Sequence, residues 1–184
     1  MKGAVFLDRD GVINRTPRER YITRWADFHF LPGTLAALRR LNQSGRMVVV
    51  VSNQAGVGRG IMPAARLAEI TRRMLAGIRR SGGRIRAVYY CTHRPWARCS
   101  CRKPKLGLLR RAARRLRIDL ARSFLVGDNA TDIAMGRAAG LTTLLVLSGA
   151  GRRSAVKKPA ARPDRVARNL PEAVGWILRR EKQA

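Results

Sequence analysis

Five short stretches of this chain are apolar almost without a break: AVFLD (residues 4–8), MVVVVSN (47–53), IRAVYYC (85–91), SFLVGD (123–128) and TTLLVL (142–147). A strand with one wet face alternates apolar and polar residues. Unbroken runs of this length suit strands buried on both faces, which calls for a parallel sheet covered by helices above and below. The segments between them carry helical patterns. Leu35, Leu38 and Leu41 recur within PGTLAALRRLNQSG (32–45), and similar patterns run through 63–83, 106–118 and 131–140. Gly45, Gly82 and Gly140 stand where helices end in C-terminal caps. Strand and helix in alternation predict right-handed crossovers and an α/β three-layer sandwich around a mainly parallel, Rossmann-like sheet. A last strand near DRVA (164–167) and a helix over LPEAVGWILRREK (170–182) would close a single domain spanning 1–184, with 151–163 as a basic loop.

In such sheets ligands bind beyond the carboxyl ends of the strands. Polar residues stand at those ends: Asp8 and Asp10 after the first run, Ser52, Asn53 and Gln54 at the second, Asp128 and Asp132 after the fourth. Four of the chain's eleven acids thus gather at one rim, although 39 residues are Lys or Arg. Carboxylates so placed repel one another unless a cation lies among them, and their hard oxygens suit Mg²⁺. Each alone has a plainer reading, Asp8 and Asp10 as turn formers before Gly11, Asp128 and Asp132 as helix starters. Converging on one edge, they predict a metal-assisted site.

The third run leads into CTHRPWARCSCRKPK (91–105), which holds all three cysteines and one of two histidines. Cys91, His93, Cys99 and Cys101 form C-x-H-x5-C-x-C, a complete S₃N set for tetrahedral Zn²⁺. Three cysteines cannot all pair as disulfides, and four protein ligands leave no open position, so the expected zinc is structural. It would staple a loop, 91–101, whose exit presents Arg102 and Lys103.

DRDGVIN (8–14), VVVVSNQ (48–54), CRKPK (101–105) and GDNATD (127–132), in this order, resemble the motifs of the haloacid dehalogenase (HAD) superfamily of aspartate-dependent phosphatases. The resemblance spans essentially the whole chain. It implies that Asp8 attacks phosphorus to form an aspartyl phosphate, while Asp10 protonates the leaving oxygen and then deprotonates water. Mg²⁺ would be held by Asp8, Asp128 and the Asp10 main-chain carbonyl. Ser52 and neighbouring amides would hold phosphate oxygens and Lys103 the transferring group, with Asp132 orienting Lys103 or a metal-bound water.

The Cys/His loop running into CRKP narrows the resemblance to the subgroup of D-glycero-D-manno-heptose 1,7-bisphosphate phosphatases and histidinol-phosphate phosphatases. NQAGVGRG (53–60), Tyr21 and FHFLPGTLAALRRL (28–41) are similar to the heptose enzymes; the five-residue zinc-loop spacer and GDNATDI (127–133) are similar to the histidinol-phosphate ones. The implied reaction is release of the heptose 7-phosphate, with histidinol phosphate as the alternative. Two departures bear on the sugar: Asn129 replaces a lysine of many heptose enzymes, and TPRERY (16–21) replaces an acidic, glycine-containing lead-in. Tyr21, Asn53, Gln54, Arg59, Arg102 and Asn129 are the candidate substrate contacts. Neither interval between the catalytic motifs has room for a separate cap domain.

The net charge is +28, and six of the cations are lysines. Such a field draws anionic ligands, either a small phosphorylated metabolite or nucleic acid. The densest cluster, RRAARRLR (110–117), lacks interleaved aromatics for stacking bases, which favours the metabolite over a nucleic-acid end. Intact Asp8 and Asp10 argue against a catalytically silent phosphate- or RNA-binding protein. No apolar run approaches the ~20 residues of a membrane span, and MKGAVFLDRDG lacks a signal peptide's apolar core. A cytoplasmic monomer is expected.

Overall fold

Runs of valine, leucine and phenylalanine have no polar face to turn toward water, and the central runs here are buried on both sides. In the computed structural model, which describes residues 2–16, 21–149 and 162–181, they build one six-stranded sheet. Its strands are β1 (Ala4–Leu7), β2 (Met47–Asn53), β3 (Ala87–Cys91), β4 (Phe124–Gly127), β5 (Thr142–Val146) and β6 (Arg165–Ala167). Their order is β3-β2-β1-β4-β5-β6, and every neighbouring pair is parallel.

Alternation along each strand divides the core in two. Val5, Leu7, Val48 and Val50 face α1 (Thr34–Gln43), α2 (Ala64–Arg80) and α5 (Leu170–Glu181), packing on Leu38, Met74, Ile78 and Ile177. Ala4, Phe6, Val49 and Val51 face α3 (Gly107–Leu116) and α4 (Ala130–Ala138), packing on Leu109, Ala112 and Met135. Each Val, Leu, Ile, Phe or Met side chain taken fully from water contributes about 1.5–3 kcal/mol. The three-layer sandwich expected from the apolar runs is what forms.

Local chemistry sets the element ends. Gly45, Gly82 and Gly140 follow α1, α2 and α4 with φ of 78°, 79° and 76°, the left-handed cap that glycine adopts without strain. α3 ends differently, with Arg117 itself left-handed at φ 52°. At the far edge, Asp164 fastens β6 by accepting from the Thr143 amide and hydroxyl, each at 2.7 Å. Among the described residues, the interval from Asp10 to Ser52 holds one 3-10 turn (Trp25–Asp27), α1 and β2, and no inserted cap. The expected basic loop falls, at 151–161, outside the described residues.

The strand order has one consequence for ligand binding. From β1 the chain builds outward through β2 and β3, then returns to lay β4 on the other side of β1. The connections therefore diverge between β1 and β4, which opens a crevice beyond their carboxyl ends.

Candidate active site

Asp8 leaves β1 at this crevice, and its amide donates to the Val126 carbonyl of β4 at 3.0 Å. Asp128 emerges beside it from β4, and both are buried. Gly11 turns the chain at φ 81°, and a Cβ on either Gly11 or Gly149 would collide with Asp128 Oδ2. The glycine of the D-x-D-G segment is thus needed twice, for the turn and for the room given to Asp128.

Lys103 reaches the same point from the zinc-loop side. Its Nζ lies 2.9 Å from Asp8 Oδ1 and 2.6 Å from Asp132 Oδ1, with the side chain 3% exposed. Burial alone would lower the lysine pKa, but Asp132 and Asp8 outweigh it and hold the ammonium protonated. Burial pushes Asp132 up to about 6, Lys103 opposes the rise, and Asp8 adds to it. The 2.6 Å contact makes the charged pair the working state. The upward push on Asp132 is mainly its burial, with the neighbouring Asp8 carboxylate adding to it.

Asp10 is held apart from that pair by donors. Its Oδ1 accepts from Arg9 Nε (3.1 Å), Arg9 Nη2 (3.0 Å) and Asn14 Nδ2 (2.8 Å); its Oδ2 accepts from Arg9 Nη2 (3.0 Å) and Gln54 Nε2 (2.8 Å). Arg9 is fully buried and lies 5.8 Å from the centre of the Tyr90 ring. Neither Arg9 nor Asn14 is among the site residues expected from the sequence. The one available signal is a cation locked between two acids in D-R-D.

A cavity of about 380 Å³ is lined by Asp8, Asp10, Ser52, Arg102, Lys103 and Asp128, with Thr16, Asn53, Asn129, Thr131 and Asp132 completing the wall. Arg102 has a buried Nη1 with no hydrogen-bond partner among the described residues. Not every expected substrate contact is free to serve as one. Gln54 is buried, and its amide is spent on Asp10 and, at 3.3 Å, on Ser52 Oγ. Asn53 clamps the Lys103 main chain, accepting from its amide (3.1 Å) and donating to its carbonyl (3.4 Å). Asn129 forms a capping box with Asp132 at the start of α4, although it still lines the cavity. Tyr21 packs against Gly56, and Arg59 lies 5.9 Å from the Trp96 ring centre; neither lines the cavity. A second, mostly apolar groove of about 440 Å³ between α2 and β3 contains none of the acids.

Two clusters have the donors of a metal site. Carboxylate oxygens of Asp8, Asp128 and Asp132 lie within 4.8 Å of one another. All are hard and anionic, and they fit Mg²⁺. The Asp10 carboxylate is outside this trio. Ligand atoms of Cys91, His93, Cys99 and Cys101 also converge within 4.8 Å. Cys91 Sγ is 3.8 Å from Cys99 Sγ and 3.7 Å from His93 Nδ1, and His93 Nδ1 is 3.2 Å from Cys101 Sγ. A tetrahedron with Zn–S near 2.3 Å has edges of about 3.8 Å, whereas a disulfide needs about 2.0 Å. The spacing fits zinc. Gly58 brings the 55–60 loop against this one, its amide donating to the Thr92 carbonyl at 2.9 Å.

Comparison with known proteins agrees with this arrangement. The HAD-hydrolase-like family model matches residues 100–173. D-glycero-beta-D-manno-heptose-1,7-bisphosphate 7-phosphatase of Pseudomonas putida is 37% identical over 83% of this chain and 87% of its own. D-glycero-D-manno-heptose-1,7-bisphosphate 7-phosphatase of Thermosynechococcus vestitus is 38% identical over 95% and 94%. The crystal structure of D,D-heptose 1,7-bisphosphate phosphatase from B. bronchiseptica, complexed with magnesium and phosphate, superposes with a TM-score of 0.92 at 34% identity, covering 98% of this chain and 99% of that one. An all-parallel sheet, a carboxylate crevice and relatives at this identity together place the chain in the heptose-bisphosphate phosphatase family of the HAD-like hydrolases.

Proposed function

We propose that this phosphatase removes the 7-phosphate of D-glycero-D-manno-heptose 1,7-bisphosphate. The observation that carries the chemistry is the approach of Lys103 Nζ to Asp8 Oδ1, 2.9 Å, within a cavity that Arg102 also lines. The substrate is carried by the family.

An Asp8 oxygen attacks phosphorus, and the bond to the sugar C7 oxygen breaks. Asp10 gives that oxygen its proton. It then takes one from the water that attacks the aspartyl phosphate, releasing inorganic phosphate and restoring Asp8. In the pose described, the donors from Arg9, Asn14 and Gln54 hold the Asp10 carboxylate as an acceptor, the form the second step uses. Lys103 and Arg102 oppose the charge that builds on the transferring group. Ser52, buried at the end of β2, is placed to donate to a phosphate oxygen. Asp132 is the anchor that fixes Lys103. Asp8, Asp128 and the Asp10 main-chain carbonyl would hold Mg²⁺, which would supply Lewis-acid neutralisation of the charge on nucleophile and phosphate.

No helix among the described residues is long and apolar enough to cross a membrane. The three cysteines are unpaired, which supports a reducing, cytoplasmic setting. We read the working form as a monomer acting on a small phosphorylated sugar. The test is phosphate release from the heptose bisphosphate, histidinol phosphate and a 3′-phosphorylated oligonucleotide, with Mg²⁺ and with EDTA. Release from the 7-position, lost with EDTA and in Asp8→Asn, is expected. Turnover of histidinol phosphate or the oligonucleotide alone would overturn the substrate assignment.

A further inference from the structure

Helices of a parallel sandwich run opposite to their strands, so they end at the amino edge of the sheet, the face remote from the catalytic cavity. Arginine pairs stand at those ends. Arg79 and Arg80 close α2, Arg114 and Arg115 close α3, and Arg179 and Arg180 close α5, all exposed. Lys2, Arg84, Arg86, Arg117 and Arg122 join them from the loops of the same edge, also exposed. Their position follows from the pairing: Lys2 bridges Ile118 just after α3, and the Arg86 amide donates to Val48 at the start of β2.

Cations at helix ends have an ordinary role, since one or two offset the macrodipole by about 0.3–1 kcal/mol. The loop residues have no such duty, and acids do not balance them. Asp119, Asp164 and Glu181, the last residue of α5, are the described acids at this edge, and the first two are occupied locally. Asp119 accepts from the Ala121 amide at 3.0 Å, and Asp164 holds Thr143. The catalytic rim, by contrast, collects Asp8, Asp10, Asp128 and Asp132. Eleven exposed cations thus gather at this edge against three acids, remote from the catalytic cavity.

We propose that this edge binds the phosphate backbone of duplex nucleic acid without reading its sequence. Arginine forks match phosphate oxygens in pairs, and the cations here are nearly all arginine. Of the exposed large apolar residues, Ile61 and Trp96 stand in loops beyond the carboxyl ends of the strands and Val166 alone lies near this edge, too little apolar surface to enter a bilayer. Among the described residues the edge also offers no exposed aromatic platform for an unstacked strand. Six strands spaced about 4.8 Å apart give an edge of roughly 24 Å, the length of about seven base-pair steps at 3.4 Å.

The experiment is a salt titration of full-chain binding to a mixed-sequence duplex and, at matched salt, to phosphatidylserine-containing vesicles. Duplex binding near 50 mM salt that weakens about 10³-fold by 200 mM is expected. In R79Q/R80Q/R114Q/R115Q the log–log slope should flatten by about 0.9 for each phosphate no longer neutralised, with phosphate release unchanged. The matched variant R66Q/R73Q/R98Q/R168Q removes four charges elsewhere and should keep the wild-type slope. The proposal is overturned by absence of duplex binding, by equal flattening in both variants, by an unchanged slope in the first, or by tighter binding to vesicles.

Discussion

Arg9 is a fully buried cation in a chain with arginines to spare on its surface. Its guanidinium fork spans both oxygens of Asp10, and the Tyr90 ring lies against it. R9M should strand Asp10 beside a half-empty cavity. Breaking a fully buried pair costs about 3–5 kcal/mol; the 23% exposure of the Asp10 side chain lowers the expectation to about 2 kcal/mol. Loss of Asp10 alignment should also slow turnover about 10²-fold. Urea unfolding and kcat separate the two effects, and a destabilised variant with normal kcat would limit Arg9 to a role in the fold. The acids were legible because their type and position at strand ends announce chemistry. The roles of the amides were not: Asn53 ends β2 and Gln54 follows it, positions that the sequence marks without saying what they bind. Their direction is decided by Lys103 and Asp10, partners that sequence spacing does not reveal.

At the level of elements, unbroken apolar runs sufficed to locate the central strands, because a residue buried on both faces leaves no choice of side. The edge strands were less well marked. β3 begins at Ala87 rather than Ile85, since an edge strand has a neighbour on one side only. Strand order could not be read from the runs, for helices of similar length can bridge either direction. The zinc loop shows the opposite case, where three cysteines and a histidine at fixed spacing gave the cluster directly. About one zinc per chain is expected by elemental analysis. Chelation should lower the melting temperature and slow turnover, because Arg102 and Lys103 follow directly on Cys101 and lose a fixed starting point. A metal-free protein with an unchanged melt and full activity would remove zinc from the account.

At the level of the whole molecule, 39 basic against 11 acidic residues must be folded into one small volume. Self-repulsion opposes compaction, and salt screens it over about 10 Å at 0.1 M. The thermal midpoint should therefore rise between about 20 and 200 mM NaCl, by about 2–4 °C for each kcal/mol of repulsion removed. A falling midpoint would show that local ion pairs outweigh the net field. The adjacency of β1 and β4 has a further effect on when the enzyme comes into being. A growing polypeptide that has emerged only as far as β3 owns a nucleophile and half a phosphate cradle, with nothing yet across the gap. Competence then arrives in a single step as the fourth strand slots beside the first, so products of interrupted synthesis are inert rather than half-active.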